Sequence, residues 1–222
     1  ETAIVIDAGS TGSRSFLYTV ARDASGALAG TRAKGIKVKP GLSAFGDAPE
    51  DAAPYLMPLF EHAARVIDAE KHGATRVFVK ATAGMRLLAP SAQDAIFDAL
   101  AAGLGARAPA AFPFALRRAD VGTITGTAEG YYGLLSANYL QKRIDATLRP
   151  TDARGLAAAL DLGGSSTQIV FQPSEQSCLS ADGEPRAVRE SVLFMCARAI
   201  RHIARARALS RGARRPAVTP GA

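Results

Sequence analysis

Two short stretches of this 222-residue chain share a pattern that suits the binding of a phosphate chain. In residues 3–20 and again in 157–171, an apolar strand ends in Asp-x-Gly and is followed by small hydroxyl residues and a second apolar strand. Glycines let the backbone approach a ligand closely, successive N–H groups form an anion-binding concavity, and Ser and Thr hydroxyls add donors. Either stretch alone also fits an ordinary hairpin whose Asp stabilises the turn. The repetition favours two related phosphate loops.

The aspartates at the two strand ends, Asp7 and Asp161, indicate that a cation accompanies the phosphate. A carboxylate repels phosphate unless a positive ion stands between them, and Mg²⁺ and Ca²⁺ accept carboxylate, water and phosphate oxygens together. Arg14 supplies a further positive charge at the first loop. We therefore predict that two facing loops clamp one polyphosphate together with Ca²⁺ or Mg²⁺.

A third candidate group is Glu129, which stands between glycines at the predicted start of a helix (residues 126–133, GTAEGYYG). A carboxylate placed there can accept a proton from a water molecule that attacks a terminal phosphate. First-turn glutamates are also common because they interact favourably with the helix dipole. The presence of the two loops favours the catalytic interpretation.

The elements that must position these groups alternate between strands and helices. Apolar runs predict strands over residues 3–6, 15–20, 35–39, 76–79, 112–116, 156–162 and 168–171. Helical spacing predicts helices over 51–72, 91–102 and 127–144, with Ser91 and Asp94 as a capping box in the second and Tyr132, Leu135, Tyr139 and Leu140 on the apolar side of the third. This order predicts an α/β or α+β lobe followed by the beginning of another.

The charge of the chain is concentrated at its C-terminal end. With 48% hydrophobic and 21% charged residues, the composition is that of a globular protein, but the net charge of +7 would by itself favour a nucleic-acid partner. Nine of the 27 basic residues and one of the 20 acidic residues lie in 186–222, which leaves 18 basic and 19 acidic residues in 1–185. We therefore expect no nucleic-acid partner.

Other site classes find little support in the sequence. Cys178 and Cys196 fit no metal pattern and are too few for a disulfide scaffold, and the three histidines lack the spacing of a zinc site. No apolar run is long enough to span a bilayer. We expect membrane contact only through the basic tail, where residues 192–205 predict an amphipathic helix, or through an anchor that precedes Glu1.

Four segments, taken in order, resemble the first four signature regions of the apyrases, the nucleoside triphosphate diphosphohydrolase family. They are residues 7–14 (DAGSTGSR), 80–86 (KATAGMR), 129–139 (EGYYGLLSANY) and 161–168 (DLGGSSTQ). The resemblance implies an actin-like (ribonuclease H-like) α/β fold with a mixed sheet and flanking helices. It divides the chain into a first lobe (1–125), a connecting helix with the first hairpin of a second lobe (126–175), and a divergent basic tail (176–222).

The same resemblance implies hydrolysis of the terminal phosphate of nucleoside tri- and diphosphates with Ca²⁺ or Mg²⁺, in a secreted, cell-surface or secretory-lumen location. Glu129 matches the catalytic base of the family, and Thr82 and Gln168 match polar residues near the attacking water. Asp7 and Asp161 match the aspartates that hold the cation through water. The residues that match the phosphate loops are Ser10, Thr11, Gly12, Ser13, Arg14, Gly163, Gly164, Ser165 and Ser166.

In the second segment, Arg86 fits best as a structural partner of its own turn. The resemblance ends near residues 171–173, and the chain begins with Glu1 rather than Met, so we expect a C-terminally truncated piece of a longer protein.

Two alternatives stand beside the apyrase hypothesis. The exopolyphosphatase and guanosine pentaphosphate phosphatase family shares both loops, but its glutamate segment usually lacks the Gly-Tyr-Tyr-Gly continuation found here. The other alternative is a non-catalytic remnant that acts as a binding module.

Overall fold

A computed structural model describes residues 1–22, 28–151, 155–171 and 193–194 of the chain. Cys178, Cys196 and nearly all of the basic tail therefore lie outside the described residues. Of the predicted amphipathic helix (192–205) only Leu193 and Phe194 are described, and they form a strand, so the helix prediction was wrong at these two residues.

The first part of the chain forms a five-stranded mixed sheet. Its strands are β1 (Thr2–Gly9), β2 (Gly12–Arg22), β3 (Leu28–Val38), β4 (Arg76–Ala81) and β5 (Ala115–Thr123), in the spatial order β3-β2-β1-β4-β5. The hairpin β1–β2 and the pair β2–β3 are antiparallel, whereas β4 runs parallel to both β1 and β5. Parallel strands bring their carboxyl ends to one edge, so the first loop and the end of β4 lie side by side.

Helices cover this sheet and complete its core. They are α1 (Ala52–Val66), the single turn α2 (Ala83–Arg86) and α3 (Pro90–Gly105). Helix α1 packs on β2 and β3, α3 packs on β5, and the two helices contact each other. Alternate residues of β1, including Ile4 and Ile6, are fully buried together with Leu56 and Phe60 of α1. Strand β1 is therefore held from both sides within the sheet and by the helical layer.

The second part of the chain begins with α4 (Gly126–Leu140), which packs on a hairpin of β6 (Ala159–Leu162) and β7 (Thr167–Phe171). The backbone of β8 (Leu193–Phe194) adds a parallel strand beside β7. The amide of Asn138 is fully buried, donates to the Ala157 carbonyl at 2.9 Å and accepts from the Ala157 N–H at 2.7 Å. This pair of hydrogen bonds fixes the approach to β6.

The resulting architecture is the predicted actin-like lobe with a mixed sheet and flanking helices, followed by the start of a second sheet. None of the helices in the described ranges is both long and apolar enough to cross a membrane.

Two helix predictions were wrong in detail. The helix predicted over 51–72 ends at Val66, because Ile67 takes an extended conformation, and Ala69–Ala74 forms a separate 3₁₀ turn. The His72 Nε2 atom lies 2.9 Å from the carbonyl oxygen of Ile67, so His72 caps the backbone immediately after α1. Helix α3 begins at Pro90 after Ala89 without a side-chain cap, so the Ser91–Asp94 capping box does not form. Asp94 pairs instead with Arg118 at 3.2 Å.

The strand predicted over 112–116 was misplaced. Phe112 and Phe114 are buried core residues before β5, and the Phe112 ring packs edge-to-face on Phe60 with centroids 5.0 Å apart. Strand β5 continues to Thr123. Because it carries charged residues, the apolar pattern of the sequence does not mark it as a strand.

The apolar side predicted for α4 was also wrong. Tyr132, Tyr139 and Leu140 are exposed, while Gly130, Leu134 and Asn138 face the second sheet.

Candidate active site

Residues of the first and the second loop line one cleft of about 290 Å³. Its walls combine the β1–β2 turn, the edge strand β3, the start of α2, the first turn of α4 and the β6–β7 turn. The lining residues with side chains able to bind or react are Asp7, Ser10, Thr11, Arg14, Lys37, Thr82, Glu129, Asp161 and Ser166. Residues from both sheets thus converge on one polar cavity.

The two loops face each other in direct contact. A Cβ atom on Gly164 of the second loop would lie 2.6 Å from Ser10 Oγ and 2.9 Å from Thr11 Cγ2 of the first. Contacts that short do not occur between real Cβ atoms and their neighbours, so only glycine lets the loops approach this closely. The predicted facing arrangement of the loops is present in the structure.

Two carboxylates of the cleft interact across it. Burial raises the pKa of the Asp7 carboxyl, Arg14 opposes that rise, Asp161 adds to it and Lys37 opposes it. Asp7 and Asp161 are thus close enough to repel each other when both are ionised.

Paired carboxylate oxygens beside a polar cavity are the donor set preferred by Ca²⁺ and Mg²⁺. No group of three or more His, Cys, Asp or Glu side chains in the described part of the chain could hold a metal ion. An ion that Asp7 and Asp161 hold through water would therefore take its ligands from water and from a bound phosphate, and the residues present fit such an ion.

Glu129 is fixed by an arginine from the first part of the chain. The helix α4 that carries it begins at Thr125, whose hydroxyl accepts from the Ala128 N–H at 3.1 Å. Arg86 donates from Nη2 to Glu129 Oε2 at 2.8 Å and from Nη1 to the Ile124 carbonyl at 2.9 Å. The two side chains are only 24% and 16% exposed. The carboxylate is therefore held in one orientation at the wall of the cleft.

The second loop joins the same hydrogen-bond network. Ser166 Oγ accepts from Arg86 Nη2 at 3.2 Å and from Gln168 Nε2 at 2.9 Å. Gln168 is buried, and its Oε1 has no hydrogen-bond partner among the described residues. A buried acceptor without a partner is costly unless a bound molecule donates to it.

Thr82 comes from the other side of the cleft, at the end of β4. Its N–H donates to the Ala8 carbonyl at 3.1 Å, which ties it to the strand that carries Asp7.

Most of the predicted residues lie at the cleft, but two of the phosphate-loop residues do not line it. Ser13 is fully buried and receives a hydrogen bond from the Tyr55 hydroxyl at 3.3 Å, whereas Ser165 is exposed on the other side of its turn. Gln168 lies behind Ser166 rather than in the lining.

Two residues of the site have positions that the sequence did not predict. Arg86 was predicted as a structural partner of its own turn, but its guanidinium bonds to Ile124, Glu129 and Ser166 instead. Lys37 was not predicted at all, although it lines the cleft as the cross-strand partner of Arg14. Its position depends on the register of β3, which the sequence does not display.

Comparison with known proteins finds relatives that are named as nucleotide phosphatases. The nucleoside-triphosphatase ntp-1 of Caenorhabditis elegans is 38% identical over 178 residues, which cover 76% of this chain and 31% of that protein. The Golgi apyrase of Saccharomyces cerevisiae is 35% identical over 189 residues, or 78% of this chain and 30% of that protein. The guanosine-diphosphatase of Schizosaccharomyces pombe is 36% identical over 182 residues, or 82% and 30%. The chain spans about a third of the length of these relatives.

A solved structure shows the same fold. The crystal structure of a nucleoside triphosphate hydrolase from Neospora caninum matches with a TM-score of 0.58 and 22% identity, over 82% of this chain and 40% of that one. Residues 1–191 match the model of the GDA1/CD39 (nucleoside phosphatase) family. The chain therefore belongs to the GDA1/CD39 nucleoside phosphatase family.

Proposed function

We propose that this protein hydrolyses the terminal phosphate of nucleoside tri- and diphosphates by attack of a water molecule that Glu129 activates. The observation that carries the proposal is the cleft itself, where Glu129, the paired carboxylates and both loops meet around one cavity. Such a site needs no covalent intermediate, because positioning, neutralisation of phosphate charge and one base account for phosphoryl hydrolysis.

Each residue of the cleft has a distinct part in this mechanism. Backbone N–H groups and the hydroxyls of Ser10, Thr11 and Ser166 bind phosphate oxygens, and Arg14 adds a charged donor. Glu129 accepts the proton of the attacking water, and Arg86 keeps its carboxylate oriented. The hydroxyl of Thr82 supplies a further polar contact near that water, and Gln168, which lies behind Ser166, supports it by donating to the Ser166 hydroxyl.

Asp7 and Asp161 would hold a Ca²⁺ or Mg²⁺ ion through water. When bound, the ion neutralises charge on the phosphate oxygens and lets two carboxylates stand beside an anion. The repulsion between Asp7 and Asp161 supports this assignment, since a cation between them relieves it.

The relatives support a substrate class and a location for this proposal. The similar proteins are named as a nucleoside-triphosphatase, a Golgi apyrase and a guanosine-diphosphatase, which supports nucleotides as substrates, and the Golgi apyrase supports a secretory-pathway location. We also infer the division of the chain into a first lobe (1–125), a connecting helix with the first hairpin of a second lobe (126–175) and a basic tail (176–222). Any membrane contact would involve that tail or a segment that precedes Glu1.

Phosphate release tests the proposal directly. The full chain is incubated with ATP, ADP, GDP and polyphosphate in Ca²⁺, Mg²⁺ or EDTA, beside Glu129→Gln and the control Glu61→Gln, an exposed glutamate of α1 outside the cleft. We expect release from nucleotides that requires a divalent cation, falls about 10²- to 10⁴-fold in Glu129→Gln and is unchanged in the control.

Two results would contradict this expectation. Phosphate release by the wild-type chain that is no greater than release by Glu129→Gln would favour a non-catalytic binding module. Phosphate release from polyphosphate alone would favour an exopolyphosphatase.

A further inference from the structure

Lys37 places a second cation beside the first phosphate loop. It lies on β3 directly across from Arg14 on β2, and both side chains line the cleft. Neither side chain forms a salt bridge within the described part of the chain. Two positive groups that share a cavity without an anionic partner at contact distance are a site for an anion.

The path of the Lys37 side chain depends on the small size of Gly12. A Cβ atom at Gly12 would lie 2.7 Å from Lys37 Cε and 2.5 Å from the Val38 carbonyl oxygen. The aliphatic part of Lys37 therefore passes over the first loop through space that any larger residue would fill. Lys37 is exposed overall, but this path makes its side chain part of the cleft lining.

The charges around Asp7 agree with this placement. Asp7 on β1 lies directly across from Arg14 on β2, and Arg14 lies directly across from Lys37 on β3. The two cations thus face the cleft from the same side as the carboxylate that would hold the metal ion, one on each of two adjacent strands.

We propose that Lys37 is a phosphate-binding residue that forms a two-cation subsite with Arg14 and makes affinity increase with the number of phosphate groups on the substrate. Directly opposite side chains on antiparallel strands lie roughly 5 Å apart at Cβ, so both cations can reach the same or neighbouring phosphoryl groups. The inference rests on the proposed function, since it concerns the same cleft.

Binding of inorganic phosphate chains tests the subsite. Calorimetric titrations with pyrophosphate and tripolyphosphate in Mg²⁺ use the full chain carrying Glu129→Gln, which prevents turnover. Lys37→Gln is compared with the matched control Lys34→Gln, whose side chain is exposed on the same strand outside the cleft. Lys37→Arg retains the charge and serves as a second variant.

We expect Lys37→Gln to weaken tripolyphosphate binding about 10-fold, pyrophosphate binding less, and to flatten the dependence of affinity on salt. Lys37→Arg and Lys34→Gln should bind as the parent does. Equal affinities of the parent and Lys37→Gln for both ligands would overturn the role of Lys37 while leaving the proposed function standing. A parent chain that binds neither ligand would contradict both.

Discussion

Arg86 and Glu129 form an ion pair, 2.8 Å between Nη2 and Oε2, that joins the two parts of the molecule. Arg86 belongs to α2, which follows a strand of the first sheet, whereas Glu129 belongs to α4, which packs on the second. The same guanidinium holds the backbone at Ile124 and the hydroxyl of Ser166. One side chain therefore positions the proposed base relative to the second phosphate loop.

Replacement of Arg86 by Met should lower kcat about 10²-fold and change KM little, because the carboxylate is left without its orienting donor while both loops remain. Steady-state kinetics on ATP and GDP measure the two constants separately. Millimolar guanidinium ion should partly restore kcat. Arg118→Met is the matched control, because Arg118 pairs with Asp94 and Asp98 away from the cleft. A rise in KM at constant kcat would show that Arg86 binds substrate instead.

Gly164→Ala should impair nucleotide binding, because the new Cβ would meet Ser10 Oγ at 2.6 Å and push the loops apart. We expect KM to rise about 10-fold or more, by misplacement of the phosphate-binding groups. Gly133→Ala is the control within α4, where a Cβ meets nothing within 4 Å. That substitution should leave KM unchanged and stabilise the protein by up to about 1 kcal/mol. Equal KM values for both variants would show that the loop contact has no part in binding.

Asp7→Asn should stabilise the protein in EDTA and remove its response to Ca²⁺. Burial raises the pKa of Asp7, so the ionised carboxylate is unfavourable at neutral pH when no cation accompanies it. Thermal unfolding should give a Tm a few degrees above wild type in EDTA, and Ca²⁺ should raise the Tm of wild type but not of the variant. Asp47→Asn, an exposed carboxylate outside the cleft, should behave as wild type. A Ca²⁺ shift that persists in Asp7→Asn would place the ion elsewhere.

Asp120 provides a pH-dependent contribution to stability that is separate from the active site. Hydrogen bonds from Arg117 and Arg76 lower the pKa of this largely buried carboxyl on β5. The contribution of Asp120 to folding stability is therefore fully present above its unfolded-state pKa, near 3.8. It is lost as the pH falls through the lower pKa of the folded state.

In urea unfolding, Asp120→Asn should accordingly have a free energy of unfolding about 1 kcal/mol lower than wild type at pH 7. This difference should become smaller below pH 3.8. Asp98→Asn, an exposed carboxylate on α3, should cost little at any pH. A deficit for Asp120→Asn that stays constant down to pH 2 would mean that ionisation of Asp120 is irrelevant.

The sequence predicted the parts of the site that are local in the chain. Asp7, Ser10, Thr11 and Glu129 lie at a strand end, in a loop or at a helix start whose glycines and apolar flanks are visible in a single segment. The central strands were equally visible, because β1 and β4 are buried and their apolar residues are contiguous or alternate.

Long-range contacts were not visible in the same way. Lys37 reaches the cleft through the register between β3 and β2, and Arg86 reaches Glu129 across the gap between two sheets. Strand β5 carries Arg117, Arg118 and Asp120, whose ion pairs stabilise a strand that an apolar pattern does not mark. Ser13 illustrates the opposite error, since a hydroxyl within a loop motif turns into the interior to meet Tyr55.

The strand order holds Arg14 more firmly in the cleft than Lys37. Arg14 lies on β2, which is hydrogen-bonded on both sides, whereas Lys37 lies on β3, the outermost strand of its sheet. Edge strands open through small local fluctuations, while strands held on both sides open only with larger parts of the fold. A fluctuation that frays β3 would withdraw one positive charge and leave Asp7, Arg14 and Glu129 in place. Substitutions that loosen this edge should therefore reduce substrate capture before they slow the chemical step.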